Sequence, residues 1–139
     1  MGKEGCIYLV TCLVNNKKYV GQHNRSDPEK RWAVHIRDMK HGSELPFHSA
    51  LRKHGIDNFD FDVIYTGPLE SLDIMELYFA EHYESYIWND SPGGYNLRMC
   101  GNFPMGTKAD MDKVKEYINI EDTSKELSLQ RRTSLYGTP

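Results

Sequence analysis

The sequence predicts a small α+β domain, with one three-stranded antiparallel sheet flanked by helices. Two β-rich runs near the N-terminus are joined by adjacent asparagines, and helix start and stop signals follow between residues 27 and 55. A third strand-like run then precedes a long helical stripe. The chain has 139 residues, enough to bury one core without disulfides or a structural metal.

Gly5 to Thr11 reads as the first strand from Ile7, Tyr8, Leu9 and Val10, and Lys17 to Gly21 as the second from Lys18, Tyr19 and Val20. Asn15 and Asn16 tolerate positive φ and favour a tight turn, so the two runs pair as a hairpin that brings Tyr8 near Tyr19. Asp27-Pro28-Glu29 opens a helix, with Asp27 as N-cap and Pro28 at its first position. Trp32, Ile36 and Met39 carry its apolar face to about His41, and Gly42 stops it. Ser43 is expected to cap a second helix, from Ser43 or Leu45 to His54, closed by Gly55 in the left-handed conformation.

Phe59 to Tyr65 alternates at first and then turns apolar, as a third strand would, and Pro68 ends it. The helix after it, from Leu69 or Ser71 to Tyr86, presents a core stripe of Leu72, Met75, Phe79 and Tyr83. Ser91-Pro92-Gly93-Gly94 makes a turn, after which Tyr95-Asn96-Leu97 packs back on the domain. The domain is expected to span residues 1–101. Residues 102–139 are then a C-terminal helix, near Lys108 to Ile118, and a polar, mobile tail containing Arg131 and Arg132.

No apolar run approaches the roughly 18 residues a membrane span needs, and no secretory signal precedes the first strand. The expected location is therefore intracellular. Cys6, Cys12 and Cys100 are odd in number and lack CxxC spacing, which suggests neither a disulfide framework nor a zinc knuckle, and reduced thiols are expected. The formal charge of −3 leaves no basic footprint on the whole chain. Its distribution is uneven. Seven Lys or Arg and four acids lie between Arg25 and His54, whereas Asp57 to Asp90 holds nine acids and no Lys or Arg. A basic face opposite an acidic one follows.

Cys6-Ile7-Tyr8, Tyr19-Val20-Gly21, Arg31 with His35, Glu76 and Gly94-Tyr95-Asn96 occur in this order over residues 5 to 97. This succession resembles the GIY-YIG nuclease superfamily. Asn15 to Gly21, Arg52-Lys53-His54-Gly55 and Asn58-Phe59 are most similar to its phage and intron homing-endonuclease branch. Cys6 stands where that family usually has glycine. The resemblance implies a GIY-YIG-like fold and a DNA endonuclease with a single metal ion, Mg²⁺ or Mn²⁺, that leaves a 5′-phosphate. It also implies a phage or mobile-element source. Residues 107–139 are too short for the DNA-recognition module such enzymes usually carry after the catalytic domain.

Phosphodiester hydrolysis needs an activated water, a neutralised transition state and a stabilised leaving oxygen. Glu76 has Ala80 rather than a lysine four residues on, so no helical ion pair satisfies it and a hard cation would. A solvated helix-face glutamate is the ordinary alternative. Arg31 offers a planar fork for phosphate, and His35 lies one helical turn further along, placed to touch a phosphate or pass a proton. His48 falls on the next helix in the basic region, as a candidate cleft residue. Tyr8 and Tyr19 can share water activation if a cation lowers a phenol pKa from near 10. The resemblance favours Tyr8 as base and Tyr19 as its support. Gly21 suits a close approach of backbone to phosphate. Asn96 resembles the family's structural or phosphate-contacting asparagine. Packing tyrosines and surface Arg and His are the competing readings.

The expected partner is DNA, with a monomer and a transient dimer on DNA both open. A catalytically silent DNA-binding domain of the same fold is the alternative, and a protein-interaction domain the more distant one.

Overall fold

The structure, a computed structural model, describes residues 3–90 and 92–118. Strand β1 (Glu4–Cys12) lies at the centre of an antiparallel sheet of order β2-β1-β3, between β2 (Lys18–His23) and β3 (Phe59–Pro68). The three-stranded sheet flanked by helices is the predicted fold. The β1–β2 turn places Asn16 at φ 64°, with its N–H donating to Cys12 O at 2.8 Å. An asparagine accepts that backbone because its short polar side chain lowers the left-handed penalty. Tyr8 pairs with Gly21, and Val10 with Tyr19, so both phenols project from one face two residues apart. A bulge beside Tyr8 leaves Ile64 of β3 without a partner, because Ile7 pairs with Tyr65 and Tyr8 with Val63.

The pleat sorts β1 into two cores. Cys6, Tyr8, Val10 and Cys12 face helices α1 (Glu29–Lys40) and α2 (Pro46–His54), with Met39, Phe47 and Leu51. Ile7 and Leu9 face the opposite way, toward α3 (Leu72–Tyr83), with Met75 and Phe79. Each helical layer thus covers one face of the sheet.

The helix starts fall later than predicted. Pro28, not Asp27, is the N-cap of α1, while Asp27 Oδ1 accepts from Glu29 N at 3.0 Å in an Asx-type turn. Helix α2 begins at Pro46, with Leu45 at the N-cap and no side-chain cap, so Ser43 does not cap it. A proline at the first helical position costs no hydrogen bond, so the helix starts there with no side chain capping its next N–H groups. Gly55 has the expected positive φ, 87°, but an extended ψ of 140°.

Helix α3 is preceded by a 3-10 turn, Leu69–Ser71, and ends three residues before Tyr86. Glu84 there is left-handed (φ 51°), and the Ser85 N–H closes back on Ala80 O at 3.1 Å. The following residues pair instead with Asn96. The single predicted stripe on α3 is also incomplete, since Leu77, Tyr78 and Ala80 are buried beside Met75 and Phe79. Their cover is the segment after Met99. Val114, in the short helix α4 (Met111–Lys115), is fully buried, and Ala109 is buried in the same core. The core therefore does not stop at Gly101 but runs on into residues 109–114. The tail predicted beyond Asn119 lies outside the described residues. Cys6, Cys12 and Cys100 are free and buried. No helix among the described residues is long and apolar enough to cross a membrane.

Candidate active site

A cleft of about 730 Å³ opens at the β2 edge of the sheet, and Tyr19, Arg31, His35, His48, Glu76 and Asn96 are among the residues that line it. These side chains come from both layers. Tyr19, Arg31, His35 and His48 lie on the α1–α2 side, and Glu76 comes from α3 on the other, so they meet only around the edge strand. The cover of that edge explains where the cleft sits. Tyr95 N donates to Lys18 O at 2.8 Å, and the Asn96 amide accepts from Val20 N and donates to Val20 O, both at 2.9 Å. These bonds satisfy the β2 backbone as far as Val20. The Asn96 side chain is spent on a strand edge, and Tyr95 is packed inside with its hydroxyl against Asn15 Nδ2 at 3.0 Å.

Tyr8 lies behind the cleft wall with no exposed surface, its hydroxyl 2.9 Å from His35 Nε2. Tyr19 stands in front of it, ring centroids 6.5 Å apart, stacked on Phe47 at 4.2 Å. Gly21 faces the Tyr8 ring, where an added Cβ would run into the phenol oxygen and the ring carbon that bears it. The structure thus gives Gly21 the task of admitting Tyr8, a reason beyond the phosphate approach expected of it.

Burial, then the neighbouring Tyr19, raises Tyr8 well above the usual phenol range, and Arg31 opposes the shift by charge and hydrogen bonding. Tyr19 is pushed up to about 12 by burial and by Glu76, again against Arg31. One guanidinium therefore faces both phenols, and the Glu76 carboxylate is near enough to act on each.

Glu76 is half-buried, and its Oε1 accepts from Gln22 Nε2 at 3.0 Å and from Gly101 N at 2.8 Å. Gln22 Nε2 also donates to Asp73 Oδ1 at 2.9 Å, one helical turn earlier on α3. Burial raises the Glu76 pKa, and the Gln22 and Gly101 bonds pull it back. Both donors sit on one oxygen, so Oε2 carries no partner among the described residues. Such a carboxylate fits a hydrated hard cation, which takes one or two protein carboxylates and keeps its waters. No group of three or more His, Cys, Asp or Glu side chains among the described residues could enclose a metal by itself.

Neither Gln22 nor Gly101 was among the candidates the sequence suggested. Gln22 could have been found from the pleat, since two residues beyond Val20 it must share the α3 face of β2. Gly101 comes from a turn with no periodicity.

His35 is buried, and burial together with Arg31 lowers its pKa from 6.5 to about 3. Its other nitrogen, Nδ1, lies 2.8 Å from His48 Nε2, and His48 Nδ1 lies 2.7 Å from Ser43 Oγ. Between these two pKa values the unfolded chain binds a proton at His35 that the folded chain does not. Stability is therefore complete above pH 6.5 and falls as the pH drops toward 3, by up to about 1.4 kcal/mol per pH unit. The melting temperature should accordingly decline on acidification, and His35→Gln should flatten part of that decline. Identical slopes in both proteins would place the acid sensitivity elsewhere.

The GIY-YIG catalytic domain model matches residues 4–91. The catalytic domain of the homing endonuclease I-TevI superposes with a TM-score of 0.56 at 28% identity, covering 68% of this chain and 98% of that one. A variant of the catalytic domain of intron endonuclease I-TevI gives 0.58 at 26% identity, covering 70% and 96%. No curated protein is matched by sequence. The matched segment holds β2, α1, α2 and α3, which bring Tyr19, Arg31, His48 and Glu76 to the cleft, while Asn96 and Gly101 lie beyond it. On the strength of that match the chain belongs to the GIY-YIG family and carries an endonuclease catalytic domain.

Proposed function

We propose that the chain hydrolyses DNA phosphodiester bonds in a single-metal reaction, with Mg²⁺ or Mn²⁺ held by Glu76. The observation that supports this reading is the meeting of a carboxylate, a guanidinium and a phenol in one cleft, drawn from both faces of the sheet around its edge strand. A bound cation would neutralise charge on the phosphate and stabilise the leaving oxygen. The chain's own residues do the rest. Gln22 and Gly101 hold Glu76 by one oxygen and turn the other to the cleft. Arg31 takes the phosphate, with a fork that matches two of its oxygens.

Tyr8 is the proton acceptor, and Tyr19, on the cleft wall, holds the attacking water. Tyr8 has no exposed surface before DNA binds. Arg31 bears on Tyr8 in the free chain and opposes the rise that burial causes, which favours the phenol as acceptor. The Tyr8–His35 bond then gives the phenol's own proton an acceptor. Asn96 is the clamp that fixes β2, and with it Tyr19, against the last turn of the domain.

A plasmid-nicking assay with and without Mg²⁺ tests the reading. Nicks that need the metal are expected; retention of duplex without nicking would leave the alternative of a silent DNA-binding domain, and neither result would reject both. Arg31→Ala should lower turnover by about 10²–10³-fold, as loss of a transition-state donor does. A rate within a factor of two or so of wild type would remove Arg31 from the site.

A further inference from the structure

We infer that His48 and Ser43 complete a proton path that carries the Tyr8 proton from the buried core to solvent. The inference rests on the reading of Tyr8 as base. Its basis is geometric: Tyr8 Oη to His35 Nε2 (2.9 Å), His35 Nδ1 to His48 Nε2 (2.8 Å), and His48 Nδ1 to Ser43 Oγ (2.7 Å) form one continuous line, whose last oxygen also accepts from Leu45 N. Both imidazoles are engaged through both nitrogens and both are buried, while Ser43 is half-buried in the turn between α1 and α2. Arg52 pins that turn by donating to Met39 O at 2.7 Å and to Ser43 O at 2.9 Å.

A neutral imidazole donates from one nitrogen and accepts at the other, so the direction of one bond fixes all three. With the Tyr8 hydroxyl donating to His35 Nε2, His35 Nδ1–H donates to His48 Nε2, and His48 Nδ1–H donates to Ser43 Oγ. The Tyr8 oxygen then keeps its lone pairs for the attacking water. When a water O–H bond breaks and its proton goes to Tyr8 Oη, the phenol's first proton moves to His35 Nε2. The Nδ1 proton of His35 passes to His48 Nε2, that of His48 to Ser43 Oγ, and the serine gives a proton to solvent. Both rings begin and end neutral, and the hydroxide left from the water attacks phosphorus. After the product leaves, Tyr8 gives a proton to water and the reverse shift along the same line restores the first polarity. Such a path is needed because His35, held low by burial and Arg31, cannot store the proton it receives.

Ser43→Val and Ser43→Thr test the path with side chains of one shape that differ in the hydroxyl, at a turn position outside the core. Single-turnover nicking in Mg²⁺, taken per folded molecule, should fall about tenfold or more in Ser43→Val with duplex affinity unchanged and the melting temperature lowered by the unsatisfied His48 Nδ1, and Ser43→Thr should recover both losses. His48→Gln keeps a hydrogen bond to His35, but its amide does not relay a proton. It should be slowed at least as much, and the curved dependence of rate on deuterium fraction should become linear. A wild-type rate in Ser43→Val, or equal losses in Val and Thr, overturns the path. So does His48→Gln with wild-type curvature. In a Tyr8→Phe background, His48→Gln should cost nothing more, and a full additional loss would mean it acts outside the path. Tyr8→Phe at the wild-type rate would instead overturn the base reading itself, which separates that failure from failure of the path alone.

Discussion

Glu76→Gln is expected to abolish cleavage while leaving the melting temperature within a few degrees of wild type. The substitution preserves the side-chain oxygen that accepts from Gln22 and Gly101, and changes only the second carboxylate oxygen to an amide nitrogen. That nitrogen bears hydrogens and cannot ligate a cation. The lost charge was also half-buried, so nothing in the core has to compensate for its removal. A metal ligand supplies several kcal/mol of transition-state stabilisation, and its loss should lower the rate by about 10³-fold or more at any Mg²⁺ concentration. Duplex affinity measured without metal should not change. Metal-dependent nicking at the wild-type rate in the variant would remove Glu76 from the reaction.

Tyr8→Phe should lower turnover by about 10²–10⁴-fold, the usual contribution of a positioned acid or base. Unlike Glu76→Gln, it carries a stability cost. The hydroxyl is the partner of His35 Nε2, and its removal leaves a buried nitrogen unsatisfied, worth about 1–3 kcal/mol. The phenyl ring keeps its edge contact with Trp32, ring centroids 5.9 Å apart, so the fold should survive. Rates must therefore be taken well below the melting transition and expressed per folded molecule. Wild-type turnover on that basis, with the stability loss present, would make Tyr8 a packing residue.

Much of the fold could be read along the chain because its signals are local. Asn15-Asn16 between two β-rich runs fixes the hairpin, and the hairpin fixes Tyr8 and Tyr19 on one face. The spacing of Arg31 and His35 on one helix is equally local. Where the reading missed, a distant partner had overridden the local pattern. Ser43 looks like a helix cap, yet Pro46 starts α2 and the serine hydroxyl bonds His48 instead. The stripe on α3 looks one-sided until residues 99–114 cover its other flank. The left-handed turn at Glu84 leaves no mark in composition, because glycine does not occupy it.

The sequence by itself determined the strand and helix order, the pairing that aligns the two tyrosines, and the identity of the polar groups available for phosphate chemistry. Backbone propensity and side-chain spacing are properties of neighbouring residues, so they are written in the order of the chain. Only the tertiary structure decided that Glu76 shares a cleft with Arg31 around the β2 edge, from the opposite face of the sheet. It alone placed Tyr8 behind the wall and Tyr19 upon it, and joined His35 to His48 and Ser43. Those relations depend on how two layers of helix close on a twisted sheet, a matter of packing between residues remote in sequence that no short-range pattern encodes.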